Sequence, residues 1–254
     1  MRIGKPLAVL AAIALAFAGC SASSAKPAGK TLTIRYGENC QIELIASGGQ
    51  RIMIDVWDPT KLSSPARASD ILLTSHLHSD HYNQAFVDSF PGQKVTNQAG
   101  TFTFNGITID SLDASHTNDN VLTGAQASNH IFVFDFDGFR IAHMGSTGQT
   151  HFTDAQMAKL GKVDIAFMDF VDVGGSDNTK PLTQITQLQP KLAFATHSAL
   201  APVQLVGKQF PASYSTKESI KLSYGQLPSK TTLFFMGQLA MSYGAILGLK
   251  ESSW

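Results

Sequence analysis

Three histidines and one aspartate lie within six consecutive residues of this 254-residue chain, at His76, His78, Asp80 and His81. Imidazole nitrogens and carboxylate oxygens suit zinc, and they also bind iron or manganese. A chance cluster of surface histidines is the alternative interpretation, but ligand-type residues at this density usually indicate a metal site. The cluster therefore predicts a metal centre, where a bound water with a lowered pKa would act as the nucleophile.

The segment before the cluster would determine which of its side chains can share an ion. Residues 71–74 form a short apolar run that is typical of a buried strand and ends just before the first histidine. Alternate side chains of an extended segment share a face, so His76 and His78 can bind one ion together. Asp80 and His81 are adjacent, and a turn there would let both face a second ion.

The rest of the pattern predicts a strand-rich first half, followed by alternating strands and helices. Period-two alternation predicts strands at residues 31–36, 41–45, 51–55, 101–104, 107–112, 130–135 and 139–143. Asn105-Gly106 and Asp137-Gly138 are strong hairpin signals. Beyond residue 150 we expect helices at 153–160, 182–188 and 215–222, strands at 163–168 and 191–196, and a closing strand pair within 231–243. This order implies an α+β fold with packed sheets covered by helices.

The N-terminus has the composition of a targeting segment. Arg2 and Lys5 precede an apolar run at residues 7–18, which is shorter than the roughly 20 residues that a membrane span needs. The run ends in Phe17-Ala-Gly-Cys20, which resembles the lipobox of bacterial lipoproteins, where the cysteine is lipidated. An ordinary signal peptide with an incidental cysteine is the alternative.

The resemblance to a lipobox implies that the chain is divided into three parts. Residues 1–19 would be a lipoprotein signal peptide, residues 20–30 a flexible tether and residues 31–254 the folded domain. The protein would then be exported and anchored to the bacterial cell envelope, touching the membrane only through the lipid on Cys20.

The amino-acid composition limits the kinds of partner that the folded domain is expected to bind. Lys+Arg and Asp+Glu both number 19, and only 15% of residues are charged. Such a balance offers no basic field for nucleic acid, so a small-molecule substrate is expected. Cys40 is the only cysteine besides Cys20, and lipidation of Cys20 would leave it without a disulfide partner. We expect Cys40 to be a small, half-buried strand residue.

The spacing His-x-His-x-Asp-His over residues 76–81 resembles the signature of the metallo-β-lactamase superfamily, and the resemblance extends over about the whole mature chain. The strand that ends at Asp55 resembles the first motif of this family, whose aspartate braces the histidine loop. Segments 113–116, 141–148 and 192–197 resemble the later ligand-bearing motifs. Small hydrolases typified by ascorbate-6-phosphate lactonase are the branch that the chain resembles most. The resemblance implies a four-layer αββα sandwich.

The same resemblance implies six metal ligands in two sites. The first site would be His76, His78 and His116, and the second Asp80, His81 and His197. Asp80 would also be the catalytic residue that orients the water or carries its proton. Zinc is the expected cofactor, with manganese or iron as alternatives.

Ser146 stands where most hydrolases of this fold have an aspartate that bridges both metals. A neutral hydroxyl bridges two cations poorly, so we expect one tightly bound zinc and a second, weaker one. A subclass of true metallo-β-lactamases also has serine at this place, so two metals joined only by hydroxide stay an alternative. Asp169 or Asp172 could compensate, although a turn or cap carboxylate is the commoner role. Asp55 and Ser146 would lie behind the ligands.

Three of the eight histidines fall outside the implied ligand set. His130, at the start of a predicted strand, is expected to be structural, and His151 is expected to be exposed. His143 either packs in the core or orients a ligand from behind.

Three functions fit these residues. The first is a metal-dependent hydrolase of a lactone, amide or phosphoester, supported by the complete His/Asp set. The second is a true β-lactamase, suggested by export and by Ser146. The third is a lipid-anchored metal-binding module without catalysis, suggested by the missing bridging carboxylate. Loops at residues 118–129 and 174–181 would cover the metal, and their polar composition slightly disfavours a polyphosphate substrate.

Overall fold

The computed structural model describes residues 29–170 and 179–254. The predicted signal peptide, the lipidation site Cys20, nearly all of the predicted tether, Asp172 and most of the predicted loop 174–181 lie outside these residues. Within the described ranges, no helix has the length and apolar character needed to cross a membrane.

The described residues form strands and helices in a regular order. The strands are β1 (Thr31–Tyr36), β2 (Ile42–Ile45), β3 (Arg51–Ile54), β4 (Ile71–Thr74), β5 (Gln93–Thr96), β6 (Gly100–Phe104), β7 (Ile107–Ala114), β8 (Asn129–Phe136), β9 (Phe139–His143), β10 (Ile165–Asp169), β11 (Leu192–Thr196), β12 (Ala212–Tyr214), β13 (Ser219–Ser223) and β14 (Thr232–Phe235). The helices are α1 (Gln84–Ser89), α2 (Asp154–Leu160), α3 (Lys180–Leu188), α4 (Leu200–Gly207) and α5 (Ala240–Leu247).

These strands form two sheets. The first has the order β13-β1-β2-β3-β4-β5 and the second the order β12-β14-β11-β10-β9-β8-β7-β6. Strands β3, β4 and β5 run parallel to one another, as do β9, β10, β11, β14 and β12. Loops that follow parallel strands meet at one edge of a sheet, where ligand sites commonly form.

Alternation along each strand separates the layers. In β8, Phe132 and Phe134 pack between the two sheets, whereas Ile131 and Val133 pack on the helical side of the second sheet. The outer face of the first sheet is covered in the same way, because Leu72 packs in a cluster with Val87 of α1 and Phe90. The result is helix, sheet, sheet, helix, which confirms the predicted α+β class and four-layer αββα arrangement.

Both predicted hairpins are confirmed. Phe104 pairs with Ile107 across Asn105-Gly106, and Phe136 pairs with Phe139 across Asp137-Gly138. All four turn residues have positive φ, between 50° and 90°. This backbone matches the twist of the flanking strands and favours Asn, Asp and Gly.

Two predicted elements are wrong and three were missed. Residues 215–222 are not a helix, because Ser219–Ser223 pairs with β1 and buries Ile220 and Leu222 alternately. Residues 231–243 are not a strand pair, because the chain leaves β14, turns at Gly237 with φ 88° and continues into α5. Strands β5 and β12 and helix α4 were not predicted.

Candidate metal centre

The histidine cluster lies on the loop that follows β4, and Asp55 at the end of β3 supports this loop. Asp55 has a positive φ of 50°. Its Oδ1 accepts a hydrogen bond from the Ser75 backbone N–H at 2.7 Å, and its Oδ2 accepts one from Ser75 Oγ at 2.7 Å. A turn then follows, in which the His81 N–H donates to the carbonyl of His78 at 2.9 Å. This turn is the one predicted from the sequence, and it allows the His81 side chain to face a second ion.

Three imidazoles form the first donor group: His76, His78 and His116. One donor atom from each lies within 4.8 Å of the other two. His116 comes from the loop directly after β7, and its ring centroid is 4.9 Å from that of His76 and 4.7 Å from that of His78. His76 Nε2 is buried and has no hydrogen-bond partner among the described residues. A buried nitrogen without a partner is costly unless it binds a cation, so these residues fit a metal ion.

The second predicted group also comes together. His197 follows β11, and its Nε2 lies 3.3 Å from Asp80 Oδ2. His81 Nε2 lies 3.9 Å from the same carboxylate oxygen and has no hydrogen-bond partner in the described part of the chain. The His76 and His81 rings are 4.1 Å apart between centroids, so the two groups are adjacent.

Cys40 is a site residue that sequence reasoning missed. It lies in the turn between β1 and β2 rather than in a strand, and it is fully buried rather than half-buried. Its Sγ, His81 and His197 offer ligand atoms that all lie within 4.8 Å of one another. Burial raises the pKa of its thiol. No spacing in the sequence links Cys40 to these two histidines, and only the fold brings them together.

Ser146 lies next to a buried ion pair. Its Oγ donates to Asp169 Oδ2 at 3.1 Å, and Lys180 Nζ donates to the same oxygen at 3.2 Å. Asp169 Oδ1 is 3.9 Å from His197 Nδ1. Of the two carboxylates considered as substitutes for the bridging aspartate, Asp169 therefore reaches the centre, whereas Asp172 is outside the described residues. Lys180 was not anticipated from the sequence.

The protonation of the first group favours metal binding. Burial and the neighbouring charge of His81 lower the pKa of His76 to about 2. Burial and the charge of His78 lower the pKa of His116 to about 4. Both imidazoles are therefore neutral near pH 7 and have a lone pair to offer. For His81, burial acts to lower the pKa, but Cys40 and Asp55 outweigh it and raise the value overall.

The remaining histidines do not join either group. His130 Nδ1 donates to the carbonyl of Ser75 at 3.1 Å and so supports the loop from behind. His143 Nε2 donates to the carbonyl of Cys40 at 2.9 Å, while its Nδ1 accepts from the Gly145 N–H at 3.1 Å. His151 is exposed beside Asp119.

Two adjacent donor groups on the loops of an αββα sandwich form a candidate metal centre of the metallo-β-lactamase type. A sequence profile described as the beta-lactamase superfamily domain matches residues 35–197, which is more than half of the chain. The chain belongs to this superfamily, and the prediction of a metallo-hydrolase of this superfamily is thereby confirmed.

Individual relatives agree with this assignment. The chain is 29% identical over 162 residues to a protein of Methanocorpusculum labreanum named a UPF0173 metal-dependent hydrolase, covering 54% of this chain and 69% of that protein. It is 24% identical over 173 residues to a protein of the same name from Methanobrevibacter smithii, covering 56% and 71%. Its fold is similar to that of a putative Zn-dependent hydrolase from Thermotoga maritima, with a TM-score of 0.58, 21% identity, and coverage of 81% of this chain and 100% of that one.

Proposed function

We propose that this protein is a zinc-dependent hydrolase that acts on a lactone, amide or phosphoester of small size. The observation that carries the proposal is the group His76, His78 and His116, with the buried His76 Nε2 lacking a hydrogen-bond partner among the described residues. Zinc bound there would polarise the substrate and lower the pKa of a water molecule to near 7. The names of the curated relatives support hydrolysis as the reaction class.

In this proposal Asp80 orients the attacking water or carries its proton. Its side chain is 39% exposed, whereas that of His81 is 1% exposed, so the carboxylate lies between the buried ligands and the solvent. Its Oδ2 is 3.3 Å from His197 Nε2. A carboxylate in this place can orient the attacking water and accept its proton. With Ser146 in place of a bridging aspartate, Asp80, His81 and His197 alone would hold a second ion more weakly than the first group holds its own.

The surroundings of the ligands slightly disfavour a polyphosphate substrate. Leu77 lies between two ligands and is 51% exposed, and Leu200, three residues after His197, is 46% exposed. The predicted loop 118–129 is largely exposed and contributes Asp119, whose Oδ1 accepts from the N–H groups of Thr150 and His151. No arginine occurs in this loop to clamp a phosphate.

An activity panel tests the proposal. Lactone, thioester, phosphodiester and β-lactam substrates are assayed with zinc and with manganese. We expect metal-dependent turnover of one class, and loss of at least 100-fold in kcat/KM for His78→Ala. His151→Ala is the matched control, because it removes an exposed histidine outside both groups and should leave turnover unchanged. Metal binding without turnover of any class would instead favour the module without catalysis.

A β-lactam substrate is the second candidate function, and Ser146 is the observation that favours it. Turnover of nitrocefin by the zinc-loaded protein, abolished by His78→Ala, would establish it. Absence of turnover at any zinc concentration would exclude it.

We also propose that the protein is exported and lipid-anchored through Cys20. The support is the sequence alone, namely the charged start, the apolar run and the lipobox-like end of residues 1–20. Mass spectrometry of the mature N-terminus is the test. A lipidated Cys20 at the first position is expected, and an unmodified start at a later residue would contradict the proposal.

A further inference from the structure

Cys40 is fully buried beside polar groups rather than within an apolar cluster of the described residues. Its side chain is 0% exposed, yet it belongs to none of the apolar clusters formed by the described residues. Its Sγ lies instead 3.4 Å from the carbonyl oxygen of Gly145 and 3.6 Å from Thr196 Oγ1. Gly145 precedes Ser146 and Thr196 precedes His197, so the sulfur lies between the segment that carries Ser146 and the segment that carries His197.

The turn that carries Cys40 is held in an unfavourable backbone conformation. Glu38 and Asn39 both have positive φ, 67° and 49°, which is uncommon for residues with a side chain. Two histidines fix this turn, His197 of the second donor group and His143 of the core. The His197 N–H donates to the carbonyl of Asn39 at 2.8 Å, and His143 Nε2 donates to the carbonyl of Cys40 at 2.9 Å. Strain of this kind persists where the surrounding structure requires a particular side-chain position.

We propose that the Cys40 thiolate is a ligand of the second metal ion and completes a set with Asp80, His81 and His197. The proposal rests on the metal binding included in the proposed function. Cys40, His81 and His197 have ligand atoms within 4.8 Å of one another, and Asp80 Oδ2 lies within 3.9 Å of both histidines. The buried His81 Nε2 has no hydrogen-bond partner within the described ranges, so this nitrogen is available to bind a metal ion. One sulfur and two nitrogens, with the Asp80 carboxylate beside both histidines, are ligand types that suit zinc.

Cys40 is better placed for this role than Asp169. Asp169 Oδ2 is already engaged by Ser146 Oγ and by the buried ammonium of Lys180, which neutralises its charge. The thiol of Cys40 would lose its proton to solvent as the metal–sulfur bond forms, and the thiolate would supply the negative charge that Ser146 lacks. A thiolate also favours zinc or cobalt over manganese at this position.

Cobalt(II) spectroscopy tests the proposal directly. The metal-free full chain carrying C20S, in which Cys40 is the only thiol, is titrated with cobalt, and bound cobalt is counted by elemental analysis. We expect two equivalents and a near-ultraviolet thiolate-to-cobalt charge-transfer band. C40S should lose the band and bind the second equivalent at least about tenfold more weakly. His78→Ala is the matched control, since it should weaken the first equivalent and keep the band.

Each outcome decides the matter. Because the band is read in a chain that retains Cys40, the test does not depend on the folding of C40S. Two bound equivalents without the band would overturn the assignment of Cys40, even if the protein hydrolyses its substrate. A band without turnover of any substrate would uphold the ligand and contradict the proposed function.

Discussion

Asp55 Oδ2 accepts a hydrogen bond from His81 Nδ1 at 2.9 Å, and this contact fixes which nitrogen of His81 can face a metal. The same oxygen accepts the Ser75 hydroxyl proton at 2.7 Å, so Ser75 Oγ in turn accepts from His76 Nδ1, which is 3.1 Å away. One carboxylate therefore sets the tautomer of a histidine in each donor group. Both Nε2 atoms are left for the metals, and both are buried without a hydrogen-bond partner in the described residues.

Replacement of this carboxylate should weaken both metals. In Asp55→Asn one carboxylate oxygen becomes an amide nitrogen, which cannot accept from Ser75 or His81. Loss of such a supporting partner typically costs 10–100-fold in metal affinity. Competition with a chromophoric chelator measures the metal affinity of each variant. Asp58→Asn, which makes the same change at a half-buried cap residue of the next turn, is the control, and an equal loss in both variants would contradict the role of Asp55.

Lys180 should be required for the stability of the metal-free protein. Its side chain is 3% exposed and pairs with Asp169, which is 0% exposed. Removal of one partner of a buried pair costs about 3–5 kcal/mol, because the other charge stays buried. Urea denaturation of Lys180→Met should show this loss, while Lys162→Met at an exposed position should differ little from the original protein. A loss below about 1 kcal/mol would show that the Asp169 charge is compensated in another way.

Acid should destabilise the protein through Asp70. Burial acts to raise the pKa of this carboxyl, but hydrogen bonds from Arg51 and Arg67 outweigh it and hold the value below 3.8. The folded-state pKa is thus below that of the unfolded chain. Its stabilising contribution is complete above about pH 4 and is lost as the pH falls through the folded value. Unfolding free energies of the metal-free protein measured from pH 5 downward should show a steeper acid slope than Asp70→Asn, and Asp88→Asn should keep the original slope.

Zinc should stabilise the folded chain specifically. Free zinc at about 1,000 times its dissociation constant adds about 4 kcal/mol to the unfolding free energy, provided that the unfolded chain does not bind it. Thermal unfolding with and without zinc measures this effect, which His76→Ala should largely remove. Calcium, which prefers an all-oxygen site, should produce no comparable shift. Equal stabilisation by both ions would argue against a nitrogen-rich centre.

Gly145 should tolerate no side chain. Its φ is 58°, and a Cβ there would lie 2.3 Å from Asn129 Oδ1 and 2.6 Å from the Cβ of Ser75. Gly145→Ala should therefore cost at least about 2 kcal/mol from strain and overpacking together. Gly248→Ala is the control, because its φ is 65° and nothing lies within 4 Å of the added carbon. A loss in Gly145→Ala no larger than that in Gly248→Ala would contradict the packing argument.

The local sequence pattern was sufficient to predict a strand or helix where the residues of that element determine its structure. Strands β4 and β9 begin and end as predicted, because short apolar runs between turn residues specify a buried strand directly. Helix α2 has its predicted cap at Thr153, which forms a capping box with Gln156. The predicted helix at 215–222 failed because pairing with β1, nearly 200 residues away in sequence, outweighs local preference.

The residues of the candidate metal centre also divide into those that local sequence spacing reveals and those that only the fold brings together. His76, His78 and His81 could be grouped from their spacing, and the resemblance supplied His116 and His197. Cys40 and Lys180 could not be found in this way, because no local spacing connects them to the cluster. Only the packing of the turn after β1 against the loop after β11, and of α3 against the end of β10, brings them to the site.

The position of β1 in the first sheet has a consequence for synthesis of the chain. Its two neighbours are β2, which follows at once, and β13, which ends at Ser223. Until the ribosome has added that residue, β1 has one edge whose backbone groups lack a partner strand. Such an open edge is a template for pairing with other chains. The matched superfamily region ends at residue 197, so a chain truncated after that residue would lack β13, leave this edge of β1 permanently exposed and should aggregate.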